Sequence, residues 1–231
     1  MFVPGRDEEA ELWDGRRSGP EGAEAKYGAD IAFSLDEIDE ELPQFLENRD
    51  TLYYTLGEHN AFDQRVTGWL HDLRHRRGKP PAAPGAIVDA RDVIHEMRMI
   101  KSAAEVERMR ESIQLTVDAH VIAMERCTPG MREYELQAII EYHFRRNGAE
   151  YPAYETIVGS GNNATILHYT SNEDIIDDDD VVLIDAGAEL DYYAGDITRS
   201  FPASGEFTPA QRDVYQAVLD AQIAAVEEVE P

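Results

Sequence analysis

Two adjacent segments, each carrying one aspartate, constrain the fold of this chain more than any other feature. Residues 181–184 (VVLI) form an apolar, β-branched run, which predicts a strand buried on both faces, and Asp185 follows at its end. Residues 192–201 predict a second strand that carries Asp196, and Pro202 ends the pairing because proline has no N–H to donate. The segment therefore predicts a hairpin with one aspartate on each arm.

The spacing of the two aspartates indicates a cation site. Ten residues separate Asp185 from Asp196, so a short, even-numbered loop brings the two aspartates opposite each other on one face. Opposite residues of an antiparallel pair have Cβ atoms about 5 Å apart, and carboxylates that close repel unless they share a proton or bind a cation. Two hard oxygen ligands suit Mn²⁺ or Mg²⁺. The alternative is that the aspartates cap turns or pair with Arg199.

Six segments resemble the pita-bread metallopeptidases, and most closely the aminopeptidase P family of Xaa-Pro aminopeptidases. Three of them surround the aspartates: residues 157–170 (IVGSGNNATILHYT), 182–202 (VLIDAGAELDYYAGDITRSFP) and 205–222 (GEFTPAQRDVYQAVLDAQ). Three lie upstream: residues 11–30 (ELWDGRRSGPEGAEAKYGAD), 95–110 (HEMRMIKSAAEVERMR) and 127–136 (CTPGMREYEL). The resemblance covers nearly the whole chain, and the IDAG and GDITR pair in register with LHY is its most specific part.

The resemblance implies an α+β fold. We expect residues 99–231 to form the first half of a pita-bread catalytic domain of the creatinase/aminopeptidase type. We expect residues 1–98 to form part of a creatinase-like α/β amino-terminal domain, with a proline-rich linker over residues 78–85 within it or just before its boundary.

The resemblance also implies a mechanism. The family hydrolyses the bond between an amino-terminal residue and a following proline with two Mn²⁺ ions. By similarity Asp185 binds one metal through both carboxylate oxygens, and Asp196 bridges the two metals. His168, in the LHY match, faces the peptide substrate, and Arg199 orients a ligand carboxylate. For the full-length protein the resemblance implies a homo-oligomer.

The chain departs from the family pattern after the hairpin. The family completes its metal site with one histidine and two glutamates that follow the aspartates, yet no histidine follows His168 here. The glutamates that follow the hairpin are expected in a turn or at a helix end, in no matching motif: Glu206, Glu227, Glu228 and Glu230. We therefore expect this chain to be a fragment that binds Mn²⁺ weakly and hydrolyses Xaa-Pro peptides little or not at all.

Other members of the fold offer alternative functions. Prolidase, a dipeptidase, and methionine aminopeptidase share the aspartate hairpin, although the upstream segments favour aminopeptidase P over the latter. Pita-bread proteins without metals act as peptide- or histone-binding modules. Those modules typically lose the ligand aspartates, whereas Asp185 and Asp196 are both present.

Charge and cysteine usage limit the partners and the compartment. The 47 acidic residues against 21 basic ones give a net charge of −26, which excludes a phosphate-binding surface for nucleic acid and disfavours anionic membranes. Because the chain has no apolar run of about 18 residues and begins with the acidic segment MFVPGRDEEAEL, we expect neither a membrane span nor a signal peptide. The single cysteine, Cys127, predicts a reducing cytoplasm, and we interpret it as a small buried residue near a helix end.

Local patterns predict the elements around the hairpin. Ser34–Glu37 and Ser102–Glu105 are capping boxes that begin helices, and Thr208-Pro209 begins a third. That third helix is expected to bury Val214, Val218, Leu219, the apolar stem of Gln222 and Val226. Residues 151–158 predict a strand, residues 166–169 predict a short strand that delivers His168, and Asp92 is expected to cap residues 93–97.

Overall fold

The structure, a computed structural model, describes residues 1–78 and 81–229 in two compact units. The first unit is Met1–Ile100 and the second is Lys101–Pro231. Lys79 and Pro80, which belong to the predicted linker, lie outside the described residues.

The first unit combines short parallel strand pairs with five helices. Its elements are β1 (Phe2–Val3), α1 (Glu8–Asp14), α2 (Gly19–Tyr27), β2 (Phe33–Ser34), a 3₁₀ turn (Leu35–Glu37), α3 (Ile38–Leu46), β3 (Thr51–Tyr53), α4 (Asn60–His75), β4 (Ala86–Val88) and α5 (Ala90–Met99). Strand β1 pairs with β2, and β3 pairs with β4, both in parallel. Helices α3 and α4 supply the buried core of this unit: Ile38, Leu46, Val66, Trp69, Leu70 and Leu73.

In the described residues, the second unit combines three helices with two three-stranded antiparallel sheets. Its elements are α6 (Ala103–Arg126), α7 (Glu133–Arg146), β5 (Tyr151–Pro152), β6 (Ile157–Ser160), a 3₁₀ helix (Gly161–Thr165), β7 (Val181–Ala186), β8 (Ala188–Leu190), β9 (Tyr193–Ala194), β10 (Ile197–Pro202) and α8 (Pro209–Glu227). One sheet has the order β10-β7-β6 and the other has the order β5-β8-β9. The strand predicted over residues 151–158 is therefore two short strands in different sheets.

Side-chain caps begin three of the helical elements where the sequence predicts them. Complete capping boxes form at Ser34, Ser102 and Thr208, each with a glutamate or glutamine three residues later. The predicted cap at Asp92 is wrong, because α5 begins one turn earlier and Asp89 accepts the hydrogen bond from the Arg91 amide. Cys127 directly follows α6, and burial raises the pKa of its half-buried thiol.

Strand β7 faces two different environments. Val182, Ile184 and Ala186 are fully buried against α6 and α7, whereas Val181, Leu183 and Asp185 on the other face are only half-buried. The prediction of a strand buried on both faces is therefore wrong for this chain. One face of the sheet belongs to the core, and the aspartate lies on the face that solvent reaches.

Helix α8 does not bury the side chains that its sequence pattern predicted. No residue of α8 is buried in the part of the chain that the structure describes, and Val214, Val218 and Val226 are each about two-thirds exposed. The helix borders an apolar groove above Val181 and Leu183 of β7. The amphipathic pattern predicted the helix correctly, but its apolar stripe has no partner here.

We predict that substitutions in the α7 core distinguish buried from exposed isoleucines. Ile140→Ala removes a fully buried side chain and should lower the free energy of unfolding by about 2–5 kcal/mol. Its matched control is Ile113→Ala on α6, where the side chain is 42% exposed, and the change should stay within about 0.5 kcal/mol. Urea unfolding followed by circular dichroism measures both, and equal losses would contradict the assigned core.

Candidate metal centre

The two aspartates lie on one hairpin that has a two-residue turn and is interrupted at Gly187, Gly195 and Asp196, which belong to no strand. Strands β7 and β10 pair with Ala186 opposite Ile197, and β8 and β9 pair with Leu190 opposite Tyr193. Asp191 and Tyr192 form the turn, with φ of 49° and 70°. Two successive left-handed residues match the right-handed twist of the flanking strands, as in type I′ hairpins.

This register places the aspartates on one face but not opposite each other. Asp185 pairs with Thr198, and the same register brings Asp196 opposite Gly187. The predicted direct pairing is therefore wrong, because the turn is centred one residue later than expected. That shift moves each partner by two positions, and side chains alternate with a period of two, so both carboxylates still project from the same face.

Two glycines allow the hairpin to bend tightly beside Asp196. A Cβ atom on Gly187 would lie 1.7 Å from the Gly195 carbonyl oxygen, and a Cβ atom on Gly195 would lie 2.5 Å from the Thr116 hydroxyl oxygen. Helix α6 holds the strand at this point through buried hydroxyls. Ser112 Oγ donates to the Ala188 carbonyl (2.7 Å), and the Ala188 amide donates to Thr116 Oγ1 (3.0 Å).

Tyr154 joins the two aspartates, and sequence reasoning missed it. Its hydroxyl oxygen lies 2.5 Å from Asp185 Oδ1 and 3.1 Å from Asp196 Oδ1. Burial and the hydrogen bond to Asp185 raise the pKa of Tyr154 well above its usual value, so the phenol remains a donor at neutral pH. No local pattern marks this tyrosine, because it reaches the hairpin only through the pairing of Ala153 with Gly187.

His168 lies in the same cavity as the aspartates. Asp185, Asp196 and His168 line a cavity of about 440 Å³ together with Tyr154, Glu155, Ile157 and Thr170. The strand predicted for residues 166–169 is wrong, because these residues form an exposed turn after the 3₁₀ helix. The structure thus brings all three predicted site residues together, although a turn and not a strand carries the histidine.

Arg199 does not lie where the sequence placed it. It pairs with Ile184, and its side chain therefore alternates away from the face of Asp185. Its Nη1 donates to the Thr198 carbonyl oxygen at 2.7 Å, and it borders the groove beneath α8. The role of orienting a ligand carboxylate therefore finds no support in this geometry.

The donor set suits a hard divalent cation but is small. Asp185 and Asp196 both contact the Tyr154 hydroxyl, so their like charges lie close together and repel. A cation between the two carboxylates would relieve that repulsion. Within the described residues, no cluster of three or more histidine, cysteine, aspartate or glutamate side chains is arranged to hold a metal. The residues therefore fit one part of a metal-ligand set. None of the helices in residues 1–78 and 81–229 combines the length and the hydropathy of a transmembrane span.

Comparisons with known proteins identify the family of this chain. Residues 107–231 match metallopeptidase family M24, and residues 1–53 match the aminopeptidase P amino-terminal domain. Xaa-Pro aminopeptidase of Escherichia coli is 48% identical over 96% of this chain and 50% of its own length. Human Xaa-Pro aminopeptidase 3 is 36% identical over 96% of this chain and 43% of its own length.

Solved structures extend the likeness to the whole chain. The low-pH form of E. coli aminopeptidase P superposes with a TM-score of 0.93 at 46% identity, over 100% of this chain and 52% of that one. Aminopeptidase PepP of Pseudomonas aeruginosa gives the same TM-score, identity and coverage. The α+β pita-bread prediction is confirmed. The chain spans about half the length of the curated relatives it matches.

We predict that Gly187 cannot carry a side chain. Gly187→Ala forces the two hairpin arms apart beside Asp196, because its Cβ atom would overlap the Gly195 carbonyl, and the free energy of unfolding should fall by about 1–3 kcal/mol or more. The control is Gly68→Ala on α4, where no atom lies within 4 Å of the new Cβ and stability should rise by up to about 1 kcal/mol. Urea unfolding measures both changes. A Gly187→Ala protein as stable as its parent would refute the register.

Proposed function

Because this chain belongs to metallopeptidase family M24, we propose that it supplies the first half of a Xaa-Pro aminopeptidase centre. The reaction is hydrolysis of the bond between an amino-terminal residue and a following proline. The observation that carries the proposal is the Tyr154 hydroxyl in contact with oxygens of both Asp185 and Asp196, in a cavity shared with His168. Since the relatives are about twice as long, the activity concerns the complete protein.

In this proposal Asp185 and Asp196 hold the metal. Membership of a metallopeptidase family implies a divalent ion, and we assign Mn²⁺, two ions per complete site. When bound, such ions lower the pKa of water and polarise the scissile carbonyl group. Tyr154 donates to Oδ1 of Asp185 and so fixes the rotation of the carboxylate that would hold the metal.

His168 and Glu155 contact the peptide in this scheme. His168 is exposed at the cavity wall, where its imidazole can hold the substrate or donate to the developing tetrahedral oxygen. Glu155 adds a third carboxylate to the lining, and an acidic cavity attracts the protonated amino terminus of a peptide. The remaining metal ligands would come from outside the described residues.

Residues 1–98 would act as part of the amino-terminal domain.

We also propose the setting in which the complete protein works. The charge of −26 supports a partner that is a peptide and not nucleic acid or an anionic membrane. A single half-buried cysteine is consistent with a cytoplasmic location. For the complete protein we propose a homo-oligomer.

Metal titration of the 231-residue chain tests the ligand assignment. We expect Mn²⁺ to bind with a Kd of about 1 mM or weaker, because two carboxylates leave most coordination positions to water. Asp185→Asn and Asp196→Asn should each abolish the measurable binding in calorimetry. Asp213→Asn, at an exposed position of α8, removes the same charge elsewhere and should change nothing. Equal loss in all three variants would contradict a specific site.

Peptide hydrolysis tests the activity. With added Mn²⁺ the complete protein should cleave Arg-Pro-Pro, whereas the 231-residue chain should show little or no turnover. Robust turnover by the chain alone would overturn the view that ligands are missing from it. Faster cleavage of a Xaa-Pro dipeptide than of Arg-Pro-Pro would indicate a prolidase, and metal-independent peptide binding without cleavage would indicate a binding module.

A further inference from the structure

One charged side chain of the second unit is fully buried outside the metal centre. Glu133, the first residue of α7, has no exposed surface. A carboxylate rarely occupies such a position unless hydrogen bonds replace the water that it loses. Because Glu133 does not line the cavity of the aspartates, other contacts must stabilise its buried carboxylate.

Five donors converge on the Glu133 carboxylate. Its Oε1 accepts from the Ser160 amide (2.7 Å), the Ser160 hydroxyl (3.0 Å) and Asn163 Nδ2 (3.1 Å). Its Oε2 accepts from the Tyr169 hydroxyl (2.8 Å) and the Asp174 amide (3.0 Å). Each oxygen thus binds a different part of the segment over residues 160–174. Oε1 binds its first part, at Ser160 and Asn163, and Oε2 binds its last part, at Tyr169 and Asp174.

The segment between these two anchor points carries His168. Leu167 is 88% exposed and Ile166 is 51% exposed, so the middle of the segment has little apolar packing to hold it. The 3₁₀ helix Gly161–Thr165 ends before the histidine. Polar contacts must therefore set the path of the segment.

The two arms of the network, which lie on either side of His168 in the sequence, also contact each other. Asn163 Nδ2 lies 3.0 Å from the Tyr169 hydroxyl and 2.8 Å from Asp174 Oδ2. Tyr169 directly follows His168, and burial together with its bond to Glu133 raises the pKa of Tyr169, so its hydroxyl stays protonated at neutral pH. The backbone of Glu133 adds a further link, because its amide donates to the Asp174 carbonyl at 3.0 Å.

We infer that Glu133 is the positioning residue for His168: its two carboxylate oxygens clamp both ends of the turn that presents the imidazole to the cavity. The inference rests on the proposed function, in which His168 faces the peptide substrate. Glu133 itself does not line that cavity and acts only through the segment over residues 160–174.

Glutamine at this position breaks one arm of the clamp and keeps the volume. An amide has one acceptor oxygen, and its NH₂ group would face donors on the other side. The Ser160 and Asn163 arm or the Tyr169 and Asp174 arm must therefore open. Glu135→Gln is the matched control, because Glu135 is exposed on the same helix and glutamine still accepts from the Arg132 amide as a capping residue.

Nuclear magnetic resonance of the 231-residue chain tests the inference without requiring activity. In Glu133→Gln the imidazole signals of His168, assigned with His168→Gln, should shift and broaden. Amide hydrogens of residues 161–174 should exchange at least about tenfold faster. Signals of the buried His120 on α6 and exchange in β7 should not change, and Glu135→Gln should match the parent throughout.

Two results would overturn the inference. Unchanged His168 signals in Glu133→Gln would show that the clamp does not set the imidazole. Equal disturbance of His120 and β7 would show that Glu133 supports the whole unit and not the turn. If Glu133→Gln does not fold, Tyr169→Phe decides by the same criteria, since it removes one donor of the Oε2 arm and leaves the carboxylate in place.

Kinetics of the complete protein separate this inference from the proposed function. With Arg-Pro-Pro as substrate, Glu133→Gln should lower kcat/KM roughly tenfold to a hundredfold, with Mn²⁺ affinity unchanged. Lost activity with equally weakened metal affinity would place the effect at the metal ligands and contradict a role through His168. If the parent protein cleaves no peptide, the proposed function fails, and the magnetic resonance result alone decides whether Glu133 positions the turn.

Discussion

The close approach of the aspartate hairpin to α6 is the constraint on which the site depends. Gly187 and Gly195 leave no room for a side chain between the arms or against Thr116, and two buried hydroxyls of α6 bind the backbone of Ala188. Because these contacts set the register, they also set which residues share a face. The placement of Asp185 and Asp196 therefore follows from packing against α6, a helix that lines no part of their cavity.

Patterns of short range predicted the elements well. The capping box at Ser102 and the threonine cap followed by proline at Thr208-Pro209 located two helix starts correctly, because the residues of each signal lie within four positions of one another. The shared face of the two aspartates was also predictable for a hairpin with an even-numbered loop, because moving such a turn by one residue moves each partner by two positions. Their register was not, because the position of the turn depends on where α6 holds the strand.

Contacts between distant segments escaped the sequence. Tyr154 and Glu133 have no local signature, since a tyrosine before a strand and a glutamate in a first helical turn are both ordinary. Each becomes informative only when the fold brings Asp185 or Ser160 to it. His168 was identified through its resemblance to a family motif, but the predicted strand was wrong because polar clamping, which residue type does not reveal, determines that segment. The apolar stripe of α8 did not predict burial correctly either. Such a stripe shows which face of the helix can pack, but burial requires another element to pack against it.

The exposed apolar stripe of α8 and the high negative charge together determine how salt affects the solubility of the chain. Val214, Val218 and Val226 remain in water, while a net charge of −26 makes neighbouring molecules repel one another. Dissolved salt shortens the range of that repulsion, and excluded anions such as sulfate also strengthen the attraction between apolar surfaces. Both effects act in the same direction, so concentrated sulfate should lower the solubility of the polypeptide more than dilute buffer does.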